Sequence, residues 1–412
     1  IDSVWRDECP MLIATLTRLT RDVGLAEDLA QDALVSALEQ WPERGVPERP
    51  GAWLMAVAKR RAIDLFRRNK RLAAKHEVLA RDLEVQQDMA DSDLDAEPEE
   101  AIGDDLLRLV FISCHPVLST EARVALTLRL LGGLKTDEIA RAFLAPEPTI
   151  AQRIVRAKRT LGDAHIPFEL PDASERMERL ASVLEVIYLI FNEGYSATSG
   201  DDWLRPALCD DALRLGRTLS GLMPEEPDVQ GLLALMEIQS SRNQARTGPD
   251  GEPVLLLEQD RSLWDQGAIR RGLDALVRAE ALGGLNRPYT LQAAIAACHA
   301  RARTADATDW ALIVILYDAL LEVTPSPVIE LNRAVAVSMA SGPEEGLEAV
   351  DALAGEPVLS SYHLLHGLRG DLLFRLGRLR EAKREFERAA SMTRNRRERE
   401  QMLKRARECD SP

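Results

Sequence analysis

The chain has 412 residues, 46% of them hydrophobic and only 4% aromatic, a balance that points to Ala- and Leu-rich helical cores and away from sheet. A formal charge of −15 speaks against nucleic acid as the partner of the molecule as a whole, and no apolar run of membrane-spanning length or leader-like start is present, so no membrane partner and no secretion are expected. Five scattered cysteines, Cys9, Cys114, Cys209, Cys298 and Cys409, lack CxxC or Cys/His ligand spacing, which predicts a reducing, cytoplasmic setting and no bound metal.

The charge is unevenly distributed. Residues 1–81 carry 14 Lys and Arg against 12 Asp and Glu, and residues 106–170 carry 9 against 6, whereas residues 82–105 hold 11 acids and no base. The remainder supplies −9. Any affinity for DNA therefore belongs to the first 170 residues.

The first module, residues 1–75, contains a helix around Leu25–Leu34 whose polar face holds Glu27, Asp28, Gln31 and Asp32. Taken alone, this is the solvated face of an amphipathic helix. A Pro- and Gly-containing loop from Pro42 to Gly51 follows, and then a helix from Trp53 to Arg71. At 100° per residue, Leu54, Val57, Ala58, Ala62, Leu65 and Phe66 share a flank expected to pack inward, while Ile63 points away from it. Trp53 falls on a second face with Arg60, Asp64, Arg67 and Arg71, which sets an aromatic plate beside guanidinium groups where a stacked base and its phosphates could lie. The plainer reading is a charged, solvated helix whose Trp caps the core.

Residues 76–105 are predicted to form a flexible acidic linker, because so few apolar residues cannot offset the entropy of ordering. The second module, residues 106–168, has a helix starting at Thr120 and stopped by Gly132-Gly133, a short helix from Thr136 to Leu144, a turn over Ala145–Pro148, and a basic helix from Thr149 to Leu161. This is a helix-turn-helix layout. Ile150, Ile154, Ala157 and Leu161 form its inner row, leaving Thr149, Gln152 and Arg156 outward with Arg153 and Arg159 at the edges, residue types that reach base edges and phosphates in a major groove.

Prolines in His165–Asp172 end the second module, and residues 174–412 read as helical almost throughout. A short hairpin is expected around Gly248–Gly251, leading into Val254–Leu257. Gly370, Gly377, Ala382, Phe386 and Ala389 sit where tetratricopeptide units need small residues between two helices and an aromatic plug, with Ala334, Gly346, Val350 and Leu353 repeating the layout upstream and Ala212, Gly216, Leu219 and Pro224 fitting the end of another unit. The expected fold class is all-α: two small helical modules followed by a tetratricopeptide-like repeat domain. The pairs Cys114/His115 and Cys298/His299 read as packing residues, and His363 with His366 could share a face but show no partner. Nothing points to an enzyme or to a cofactor.

The order of Leu25–Leu34, Trp41, the loop and Trp53-Leu-x-x-Val-Ala-Lys-Arg-Arg-Ala-Ile-Asp-x-x-Arg67 resembles region 2 of bacterial extracytoplasmic-function (ECF) sigma factors, and Thr136–Leu161 resembles their region 4. Tyr188–Tyr195, Leu208–Arg217, Gln259–Trp264 and Thr324–Arg333 resemble the long extension of one sigma subgroup that carries a tetratricopeptide-like domain. The resemblance implies a subunit that binds core RNA polymerase, at the clamp helices and flap of its large subunits, and that recognises and opens promoter DNA. Carried over by position, Glu27, Asp28, Gln31 and Asp32 would face the polymerase; Trp53, Lys59, Arg60, Arg61, Asp64, Arg67 and Arg68 would handle the −10 element; Thr149, Gln152, Arg153, Arg156 and Arg159 would read the −35 element. Pro148 stands where many relatives have a small residue, which leaves the entry angle of the recognition helix open. The repeat domain is expected to modulate activity, with a peptide or protein ligand as a further partner. The rival reading is a helix-turn-helix regulator that senses a ligand or peptide and never joins polymerase.

Overall fold

The computed structural model describes residues 1–73, 99–143, 145–164, 166–172, 175–196, 204–248, 252–360, 362–393 and 395–410. Among these, every extended element is a helix. The chain divides into two units, Ile1–Leu189 and Ile190–Pro412.

In the first unit, α1 (Asp2–Thr20), α2 (Val23–Arg44), α3 (Pro50–Ala73) and α4 (Glu99–Ser113) pack around α1. Asp22 starts α2 by accepting a hydrogen bond from the Leu25 amide at 3.0 Å, satisfying one of the donors a helix start leaves open. Ala26, Ala30, Ala33 and Ala37 line its buried stripe, and such small side chains let the neighbouring helices approach closely around Ile13, Leu16 and Leu54. Of the inward flank expected on α3, Leu54, Ala58 and Ala62 are buried against α1 and α2, while Val57, Leu65 and Phe66 are only half-buried among the described residues.

The expected linker is corrected at its far end. α4 begins at Glu99, so the last part of 76–105 is helical, and Asp105 is buried between Arg18 (2.7 Å) and Arg108 (2.6 Å). Those two guanidinium partners supply the compensation that a run of like charges lacks. Burial nonetheless dominates and pushes the Asp105 carboxyl above its usual range. The rest of that linker reading, through Pro98, lies outside the described residues.

Three further helices complete the unit's second half: α5 (Thr120–Leu130), α6 (Thr136–Ala142) and α7 (Glu147–Asp163). Ser119 caps α5 one residue before the expected start. Gly132 and Gly133 end it as expected: Gly133 has φ +65°, and a Cβ on Gly132 would lie 2.4 Å from the Leu128 carbonyl. Helix α7 starts two residues earlier than expected, so Pro148 sits in its first turn, where a missing N–H costs nothing. Ile150, Ile154, Ala157 and Leu161 are all buried, which confirms the inner row.

The second unit begins within α8 (Arg176–Tyr195) and continues through α9 (Pro206–Leu222), α10 (Pro227–Ser240), α11 (Gln266–Ala281), α12 (Pro288–Arg301), α13 (Trp310–Val323), α14 (Pro327–Ala340), α15 (Pro343–Ala352), α16 (His363–Arg375), α17 (Leu379–Met392) and α18 (Arg396–Glu408). Packing runs mostly between consecutive helices, as in a stacked helical array. Phe386 is buried against Gly370, where a Cβ would lie 2.9 Å from its ring, and Gly377 turns the chain with φ +72°. Gly346 likewise meets Ser338, and Gly216 meets Met236.

The hairpin expected near Gly248 shrinks to one isolated antiparallel bridge, Thr247 with Pro253. Its tip, residues 249–251, lies outside the described residues. Leu255–Leu257 form a turn and no strand, since the unit offers them no strand partner and Leu256 packs instead beside Ala245, Trp264 and Ile269.

Candidate nucleic-acid interface

Helix α3 and helix α1 enclose a groove of about 950 Å³ in the first unit. Lys59, Arg60, Asp64 and Arg67 line it from α3, with Arg60, Asp64 and Arg67 exposed. Met11, Leu12, Met55 and Ile63 give it an apolar floor. Arg49, Lys59, Arg60 and Arg67 narrowly outnumber the acids Glu8, Glu48 and Asp64 in its lining, and a rim with such an excess of cations over an apolar floor can hold a phosphate backbone while a base is removed from water. Ile63, the residue that breaks the inward stripe of its helix, breaks it because it belongs to this groove. Met11, Arg49 and Met55 also line the groove and went unrecognised in the sequence; Arg49 belongs to the loop and Met11 to another helix, so α3 periodicity could not expose those two, whereas Met55 lies on α3 itself, off its inward flank.

Trp53 is half-buried at the flank of α3 that faces α2, with its ring 5.4 Å from that of Trp41 in an edge-on contact. It therefore belongs partly to the core, as the plainer reading of that helix holds, and it does not line the groove. Arg61 turns to α2, where it pairs with Asp32 at 2.9 Å and donates to Ser36 Oγ at 2.9 Å. The side chain of Arg68 lies outside the described residues.

On α7, Gln152, Arg156 and Arg159 are exposed, and Thr149 and Arg153 are half-buried. Arg159 reaches Asp163 at 3.3 Å, one turn along the same helix. The side chains proposed to read bases thus share an open helix face, held by the buried row on the opposite side.

The polar face of α2 divides. Asp28 and Asp32 are exposed and Gln31 is half-buried, but Glu27 is only 3% exposed. Its carboxylate accepts from Arg129 Nε at 2.6 Å and pairs with Lys158, so α5 and α7 hold it inward. Helical periodicity places Glu27 on the polar face of its own helix; only the arrival of two cations from remote sequence explains its burial.

Cys114, His115, His363 and His366, which could suggest metal ligands, are otherwise engaged. Cys114 Sγ lies 3.3 Å from Thr127 Oγ1, and burial together with Arg179 pushes the His115 imidazole down to about 4. The partners that the sequence did not show for His363 and His366 are Glu398 (3.1 Å) and Glu385 (2.7 Å). Among the described residues no group of three His, Cys, Asp or Glu side chains could hold a metal ion, and no helix is long and apolar enough to cross a membrane.

Comparison with known families places this geometry. The sigma-70 region 2 family matches residues 5–72, the sigma-70 region 4 family matches residues 108–161, and a family of unknown function, DUF6596, matches residues 179–280. An uncharacterised protein of Rhizobium meliloti is 46% identical over 94% of this chain and 90% of its own length. An ECF RNA polymerase sigma-E factor of Haemophilus influenzae is 31% identical over 35% of this chain and 77% of its own length. A probable ECF RNA polymerase sigma factor of Mycobacterium tuberculosis is 25% identical over 43% of this chain, which spans 59% of that relative.

Proposed function

Because the chain belongs to the ECF group of the sigma-70 family, with core RNA polymerase and promoter DNA as the partners that membership brings, we propose a division of labour among its helices. The α3 groove captures the opened −10 element: Lys59, Arg60 and Arg67 neutralise phosphates, Asp64 contacts an exposed base edge, and the apolar floor shelters an unstacked base. Base capture at ~1–3 kcal/mol per base offsets the cost of unstacking, so promoter opening is a binding equilibrium that asks no residue for covalent chemistry. Trp53, with Arg61 and Arg68, supports the same element from the flank.

Thr149, Gln152, Arg153, Arg156 and Arg159 read the −35 element from the major groove. Asp28, Gln31 and Asp32 dock on polymerase, and Glu27 joins them once Lys158 and Arg129 let go. We assign residues 1–75 and 106–168 to the two DNA-contacting modules and residues 174–412 to a domain that modulates them.

The observation that carries this reading is the pairing of two open cationic surfaces, the α3 groove and the α7 face, on one unit of an otherwise acidic chain. It is tested by adding the purified chain to core polymerase in a reconstituted transcription assay. Saturable association and initiation from a cognate promoter are expected, and the double variant Arg60→Ala, Arg67→Ala should keep the association and lose opening. A chain that fails to associate with core polymerase would instead be a regulator acting on DNA alone. Deletion of residues 174–412 should raise transcription if the acidic domain masks the cationic surfaces; unchanged or abolished activity counts against masking.

A further inference from the structure

Two segments that promoter recognition leaves unused, Tyr188–Tyr195 and Gln259–Trp264, come near each other in the second unit through Tyr195 and Trp264. Tyr195 ends α8 and Trp264 lies two residues before the start of α11, with Arg242 and Arg246 arriving from the turns after α10. Rings and guanidinium groups alternate. Arg246 Cζ lies 3.4 Å from the Tyr195 ring centroid, Arg242 Cζ lies 5.8 Å from Tyr195 and 5.7 Å from Trp264, and Arg261 Cζ lies 4.7 Å from Trp264. Three positive charges therefore share a small volume, and like charges so placed repel unless an anion stands among them.

No anion of the described protein does so for two of them. Arg242 donates to Tyr195 Oη and Gln239 Oε1, and Arg261 donates to the His299 and Ala302 carbonyls and to Thr308 Oγ1, so among the described residues neither has a carboxylate within ion-pair distance. Elsewhere in the same unit the pattern is the opposite: Glu237 sits between Arg217 at 2.7 Å and Arg271 at 3.0 Å. Two buried polar atoms beside the cluster also lack a hydrogen-bond partner among the described residues, Trp264 Nε1 and His299 Nδ1, on side chains of residues only 4% and 8% exposed. An unpartnered N–H in that position carries a cost that a bound acceptor would remove. Burial and the charges of Arg242 and Arg261 hold the His299 imidazole down at about 4, so it stays neutral at physiological pH. Arg242 and Arg261 are half-buried, which leaves them open to solvent on one side.

We infer that Arg242, Arg261 and Trp264 form a binding site for a small-molecule oxyanion, the carboxylate or phosphate group of a metabolite, in the domain proposed to modulate the sigma modules. The guanidinium forks grip the oxyanion, Trp264 Nε1–H donates a further bond, and neutral His299 lines the site. Such a ligand would give the modulating domain a chemical input. The site stands whether or not promoter reading is as proposed above, because its occupancy is measured on the protein alone.

The test is isothermal titration calorimetry on the full chain at low salt, with inorganic phosphate in one series and benzoate in another. Saturable one-site binding of at least one anion, with Kd of about 1 mM or tighter, is expected, and whichever series binds tighter identifies the group. Arg242→Gln should weaken that binding by about tenfold or more, a loss of ~1.4 kcal/mol. Trp264→Phe keeps an aromatic ring, though a smaller one, and removes the N–H, so it should weaken binding severalfold with the fold intact by circular dichroism. Arg388→Ala, at an exposed position of α17 outside every surface named above, should leave it unchanged. Absence of saturable heat with either anion up to ~10 mM, or equal affinity in the parent chain and in Trp264→Phe, overturns the site.

Discussion

A Cβ placed on Gly370 would lie 2.9 Å from two carbons of the Phe386 ring, which leaves this position no room for a side chain. Gly370→Ala is therefore expected to cost about 1–3 kcal/mol through overpacking, and Phe386→Ala about 3–5 kcal/mol through the cavity it leaves, each read from the urea unfolding midpoint. Exposed residues obey the opposite rule. Gln152→Ala and Arg156→Ala should leave that midpoint within about 0.5 kcal/mol and weaken −35 binding by ~1–3 kcal/mol each in a gel-shift titration with holoenzyme. His299 adds a pH dependence. Its folded pKa of about 4 lies below the unfolded value of 6.5, so the unfolded chain binds the proton first and stability falls as pH drops from 6.5 towards 4. Thermal melts of the parent chain and of His299→Gln across that window should converge as the pH falls; parallel curves would mean that His299 titrates normally.

At the scale of elements, the contact of α2 with α5 and α7 rests on one carboxylate. Arg129 and Lys158 both spend their charge on Glu27, and all three side chains are largely out of water. Glu27→Gln strands two cations, with an expected loss of about 3 kcal/mol, whereas Asp28→Asn, one residue along but exposed, should change stability little. Hydrogen exchange of α7 amides separates the cases: faster exchange in Glu27→Gln alone supports a latch at this position, and equal exchange in both variants removes it. The consequence for function follows from position. Glu27 is expected on the polymerase-facing surface of α2, so a partner that uses it must first displace α7, the helix proposed to read the −35 element.

At the scale of the whole molecule, a chain of net charge −15 binds DNA only where its cations are gathered. With Lys59, Arg60 and Arg67 in the groove and Arg156 and Arg159 on α7, promoter affinity of the holoenzyme should fall linearly with the logarithm of salt concentration. Replacing Arg67 by Gln should reduce that slope by about 0.7–0.9, measured by filter binding across a potassium chloride series, because one fewer counterion is released. A slope unchanged by Arg67→Gln would mean that this side chain does not touch a phosphate.

Periodicity alone determined the helical class, the buried row of α7, the glycine stop after α5 and the small-residue seat of Phe386, since each depends on neighbours within a few turns of the same helix or helix pair. The same local rules placed Arg60, Asp64 and Arg67 on one face of α3 and marked Ile63 as misplaced. The inward burial of Glu27, the turn of Arg61 towards Asp32, the Trp41–Trp53 contact and the pairing of Asp105 with Arg18 were settled by tertiary structure, because each of these partners comes from a different helix. A helix fixes the direction in which a side chain points; what meets it there depends on how the remote helices pack, and a buried charge is stable only where that packing delivers its counter-charge.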